Sequence, residues 1–161
     1  MPSGPLALAY WLHMAATVVW IGGLTFQSLV LAPLLGPESD LIDRVRRRFE
    51  PLAWLSLAVL IGTGLMQMTA NPNYTGLLSI DNRWSAAILV KHVLIAAMLL
   101  LAGYQTWALQ PRLARLRLTA SVAGRSAGET ERLLRHRRRL LHLQTAVSML
   151  VLALTAVARS A

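Results

Sequence analysis

The chain has 161 residues, 55% of them hydrophobic and only 14% charged, with a mean hydropathy of +0.51. A water-soluble domain of this size cannot bury that much apolar surface, which excludes a soluble globular protein. The formal charge of +9 points at first sight to nucleic acid, but the arginines fall in clusters between apolar segments, a pattern that reports membrane topology and contact with anionic lipid instead.

Four segments are long enough, at about 1.5 Å per residue, to cross a hydrocarbon core of roughly 30 Å. The first, 5–35, has no basic side chain ahead of its apolar run, unlike a signal peptide, and is expected to be retained. Within it His13, Trp20 and Gln27 recur at heptad spacing and so lie close to one helix face. Arg44, Arg46, Arg47 and Arg48 follow, and Pro51 suits the first turn of a second span over 52–70, which ends in Met66, Gln67 and Met68. The connection 71–83 contains Asn71, Asn73, Tyr74 and Asn82, with Arg83 as its basic residue.

The third span, 84–109, contains Lys91 and His92 in an otherwise apolar run. Such a lysine costs about 2.5–3.5 kcal/mol on insertion scales, so it marks a place where function is expected. Arginines recur from Arg112 to Arg139; between them 119–130, rich in Ala, Ser and Gly, reads as a mobile linker, and Ser126 with Glu129 has the spacing of a capping box. The fourth span is 140–158. No internal repeat or low-complexity tract stands out.

These features predict an all-α integral membrane protein: a four-helix up-down bundle forming a single domain, 1–161. The positive-inside rule puts both basic connections in the cytoplasm, and both termini and the 71–83 loop outside, in a bacterial inner membrane. Without cysteine there is no disulfide, no thiolate metal site and no covalently attached c-type haem.

His13 and His92 each lie eight residues past the start of their spans, roughly 12 Å along the helix. Spans one and three sit on a diagonal of an up-down bundle, so two imidazoles at one depth suit the axial positions of a b-type haem. In that reading Trp20 lies on the cofactor face, and Lys91, Tyr74 and Arg83 meet the propionates. An iron with both axial positions filled favours electron transfer over oxygen binding; its partner, a quinone, a periplasmic carrier or a neighbouring subunit, stays open.

The same level carries a second reading, copper binding or transport, because His13, Met14, Met66, Met68 and His92 combine imidazole with thioether, a set suited to Cu(I). The structural alternatives are interhelical hydrogen bonds for the histidines and gap-filling for the methionines. Gly22, Gly23, Gly62 and Gly64 fit close helix packing. His142 reads as an interfacial residue, with an inner ligand site as its alternative, and His136 as solvated among arginines. No catalytic residue is assigned, and both a cofactor-free assembly subunit and a homo-oligomer stay open.

His13 followed by Val19-Trp20-Ile21-Gly22-Gly23-Leu24 and Leu31-Ala32-Pro33 resembles the CopD (copper-resistance D) family. So do Arg48-Phe49, Thr63-Gly64, the lysine of span three, and Leu154-Thr155-Ala156. A more distant pattern similarity is to HemJ-type protoporphyrinogen oxidases, which share a first-span histidine, a Trp-x-(Ala/Gly)-Gly turn and a third-span lysine. The first resemblance implies copper handling. The second implies b-type haem with His13 as ligand, Lys91 as functional lysine, and tetrapyrrole oxidation as a third candidate activity. The chain departs from the second pattern at Leu24-Thr25-Phe26, where those proteins carry an aromatic Leu-Phe-Tyr run.

Overall fold

The computed structural model describes residues 4–35, 39–72, 76, 83–123 and 127–160, which are helical except at short connections. Helix α1 is Gly4–Leu35, α2 is Asp40–Thr69, α3 covers 83–123 and α4 is Ala127–Ser160. All four are long and apolar enough to cross a bilayer. Helix α1 packs along α2, α3 packs along α4, and α1 also touches α4. Trp54 of α2 stacks on Trp107 of α3 with ring centroids 5.1 Å apart, joining the remaining pair of helices. The up-down bundle is therefore as expected.

Two boundaries differ from the sequence expectation. Helix α2 starts at Asp40 rather than near 52; the Ser39 hydroxyl caps it by accepting from the Leu41 backbone N–H at 3.3 Å, and Pro51 lies inside the helix. Arginines and glutamate are good helix formers, so the basic segment continues the span instead of looping; Arg46 and Glu50 are paired at i,i+4. The segment expected to be a mobile linker is helical through Ala123 and again from Ala127. Ser126 of the expected capping box lies outside the described residues.

Helices α1 and α3 share a local device. Each contains a π turn, Phe26–Leu31 and Tyr104–Leu109, closed by Ala32 N–H bonding to Gln27 O and Gln110 N–H to Gln105 O. Proline follows immediately in both, Pro33 and Pro111. A proline ring clashes with the carbonyl four residues back, and widening the preceding turn relieves that clash without ending the helix. Aligned on these turns, Gln27-Ser28-x-x-Leu31-x-Pro33 repeats as Gln105-Thr106-x-x-Leu109-x-Pro111. The next helices then carry Arg46-Arg47-Arg48-Phe49 and Arg137-Arg138-Arg139-Leu140 beyond their first turns. The chain thus shows a short repeated pattern, one copy per helix pair, with a longer interval between the proline and the arginines in the second.

The core is a cluster of Trp20, Leu24, Leu57 and Met98, contributed by α1, α2 and α3. Helix α4 adds a polar seam of Gln144, Thr145 and Ser148, all buried. Trp20 Nε1 donates to Ser148 Oγ at 3.3 Å, Gln144 Nε2 donates to the Met98 carbonyl at 3.3 Å, and Gln105 Nε2 donates to Gln144 Oε1 at 2.9 Å. In lipid the bilayer is as apolar as leucine, so such bonds and close packing, about 0.6 kcal/mol each on average for the bonds, hold helices together. Leu8, Val18, Leu29, Leu55, Val93 and Leu100 face outward, as a lipid-exposed surface requires.

On the side of the basic segments, Arg137 of α4 donates to Asp43 of α2 at 3.0 Å, with both side chains only 12–13% exposed. Removing one partner leaves the other charge largely desolvated. Arg137→Gln or Asp43→Asn is expected to lower stability by about 1–3 kcal/mol, and the charge-swapped double variant Asp43→Arg with Arg137→Asp to recover a large part. Thermal unfolding in detergent measures it, and a swap no better than either single change counts against the pair.

Candidate functional site

Far from the basic segments, α1 and α2 meet at His13. Its Nδ1 lies 2.8 Å from Thr63 Oγ1, whose hydroxyl proton is directed to the Val59 carbonyl. The hydroxyl oxygen must then accept, so Nδ1 carries the ring proton and Nε2 the lone pair. A β-carbon on Gly64 would lie 3.5 Å from His13 Cε1, an ordinary van der Waals distance, so the ring rests close to α2 at this residue. One turn toward the N-terminus of α1, Gln67 Nε2 reaches the Ala9 carbonyl at 3.4 Å and fixes the register of the pair.

His92 of α3 is half-buried, and its Nδ1 donates to the Ile88 carbonyl at 2.7 Å. A carbonyl only accepts, so this ring too has its lone pair on Nε2. Both histidines thus have the tautomer and the outer hydrogen bond that metal-binding imidazoles use. Lys91 is half-buried and partnered.

The methionines separate. Met14 and Met66 are 61% and 41% exposed on the lipid side, whereas Met68 is buried at 6%. Positions 66 and 68 differ by about 200° around the helix, which decides their opposite environments. Trp20, expected on a cofactor face, is 3% exposed at the centre of the core and bonded to Ser148. Tyr74, Asn73 and Asn82 lie outside the described residues, as does the Arg83 side chain. His142 and His136 are exposed; His136 meets Tyr104 edge-on at 6.1 Å. Among the described residues no group of three or more His, Asp or Glu side chains is gathered.

Two cavities lie elsewhere, toward the basic ends. The larger, of about 90 Å³, runs past Trp20, Gln27, Arg46, Trp54, Gln105 and Gln144. The smaller, of about 60 Å³, shares Gln27, Arg46 and Gln105 and reaches Arg137 and Arg138. Neither is lined by His13, His92 or Lys91. Cofactor pockets are typically about 300–1,000 Å³, and at the midlevel Trp20, Met98 and Ser148 are in contact through hydrogen bonds and packing. A porphyrin between spans one and three is not supported by this arrangement.

Sequence reasoning passed over Arg46, Gln105, Gln110 and Gln144. The available signal was the isolated glutamine in an apolar span, present at 27, 105 and 144.

The copper resistance protein D (CopD) family matches residues 43–158, from the start of α2 through α4. The chain belongs to the CopD family. The matched stretch includes Thr63, Lys91 and His92, while His13 lies before it. No curated protein and no solved structure matches the chain.

Proposed function

We propose that this CopD-family protein binds Cu(I) at the level of His13 and His92 and passes it across a bacterial inner membrane. The observation that carries the reading is the shared hydrogen-bond state of the two rings: each Nδ1–H is engaged by a helix acceptor, so each Nε2 is the basic nitrogen. Their depths support it. Trp20 is bonded to Ser148, and Ser148 contacts Met98 Sδ at 3.9 Å, so these residues define one layer. His13 lies about 10 Å and His92 about 9 Å along their parallel helices from that layer.

Buried Met68, one turn beyond Gly64, adds a thioether on α2. Imidazole with thioether suits Cu(I). By the positive-inside rule the arginine-bearing ends are cytoplasmic, which makes the histidine level the outer one. The whole chain acts as one domain in this reading.

Metal analysis combined with an absorption spectrum tests the proposal on purified protein expressed with ample copper and haem. The expected result is copper near one per chain, reduced about tenfold or more in His92→Ala, with Cu(I) uptake into proteoliposomes that the same change removes. A Soret band with stoichiometric iron and no copper overturns it in favour of bis-histidine haem; copper retained in His92→Ala removes His92 from the site.

A further inference from the structure

The basic end of the bundle contains an arrangement that copper coordination leaves unexplained. Gln27 of α1 and Gln105 of α3 hold equivalent places in the repeat, each opening the segment that closes its π turn, and both line both cavities. Arg46 of α2 and Arg137 of α4 are likewise equivalent, as the first arginines of the two triplets, and both line the smaller cavity. Gln110 and Arg138 complete its polar wall, and Leu31 and Leu134 belong to its apolar one. Two arginine–glutamine pairs related by the repeat therefore converge on one space.

The charge balance is positive. Arg137 is matched by Asp43 at 3.0 Å. The Arg46–Glu50 pair, at 3.7 Å, is an ion pair beyond hydrogen-bond reach. Arg46 Nε is buried and has no hydrogen-bond partner among the described residues. A guanidinium N–H taken from water without an acceptor is costly, and a bound water or anion in the adjoining cavity would satisfy it. Arg138 adds a cation with no counter-charge in the cavity wall.

We propose that this cavity is a binding site for a phosphate anion, with Arg46 and Arg138 as its charged donors and Gln27, Gln105 and Gln110 as amide donors. Planar guanidinium forks match phosphate oxygens. The phosphate comes from an anionic phospholipid headgroup or from free phosphate; basic pockets between membrane helices on the side of the basic loops suit the first source. The phosphate site is independent of what His13 and His92 bind.

Thermal unfolding of lipid-stripped protein in neutral detergent tests it, with phosphatidylglycerol, phosphatidylcholine and inorganic phosphate as probes. Phosphatidylglycerol is expected to raise the unfolding midpoint and phosphatidylcholine to leave it unchanged. The half-saturating concentration is expected to rise about tenfold in Arg46→Gln, and to stay at the wild-type value in Arg139→Gln, whose arginine is outside both cavities. Should Arg46→Gln not fold, Arg138→Gln at the exposed rim carries the comparison. The same pattern with inorganic phosphate supports the site and assigns it to soluble phosphate. No shift with either anionic probe overturns the proposal, and so does equal weakening by Arg139→Gln, which reports diffuse surface charge.

Discussion

His13→Ala is expected to abolish Cu(I) uptake, and Thr63→Val to weaken Cu(I) affinity by about 10–100-fold while the histidine itself stays in place. Thr63 Oγ1 is the acceptor for His13 Nδ1–H, because its own proton goes to the Val59 carbonyl. Valine has nearly the shape of threonine but offers no lone pair. The imidazole then loses its orienting partner and the preference for the tautomer with a basic Nε2. Thr63→Ser keeps the hydroxyl and is expected to bind close to the wild-type level. Competition against a Cu(I) chelator gives the affinities, and unfolding midpoints identify any loss due to misfolding. Uptake that persists in His13→Ala removes the residue from the path. Unchanged affinity in Thr63→Val reduces the His13–Thr63 bond to a packing contact.

The second large effect lies at the contact of α1 with α2. Phe49 presses its ring onto Gly23 so closely that a β-carbon there would overlap the ring edge. A side chain at this point requires the tip of the Phe49 ring, which borders the larger cavity, to shift. Gly23→Ala is expected to destabilise by about 1–3 kcal/mol, the usual cost of overpacking, and Gly23→Leu by more. Phe49→Ala in the Gly23→Ala background is expected to restore part of the loss, since the added methyl occupies vacated space. Gly22, where a β-carbon meets nothing within 4 Å, is the internal control: Gly22→Ala is expected to be neutral. Equal destabilisation at 22 and 23 would point to backbone effects rather than to the ring.

Much of the architecture was legible in the primary structure. Twenty or so apolar residues must cross as helix, because lipid offers backbone groups no partner, and the arginine clusters set which connections lie together. His13, Lys91 and His92 stood out because ionisable groups are costly at membrane depth. Pro51 misled. Hydropathy ends the span where charges begin, but helix propensity does not, and α2 runs on through Arg48 to Asp40.

The repeated pattern was hidden for a related reason: helix pairs in lipid tolerate almost any apolar residue, so little beyond Gln27, Leu31, Pro33 and the arginine triplet remains alike in the two halves.

Composition and charge alone determined that the chain is a membrane-embedded bundle and which residues in it are expensive. Three-dimensional packing decided which neighbours those residues have. It gave His13 to Thr63, turned Met14 and Met66 to lipid, used Trp20 as core, and brought Arg46, Arg138 and three glutamines to one cavity. The physical reason is rotation. A helix turns about 100° per residue, and in a uniformly apolar span the residues themselves mark no inward face; only contact between helices selects one.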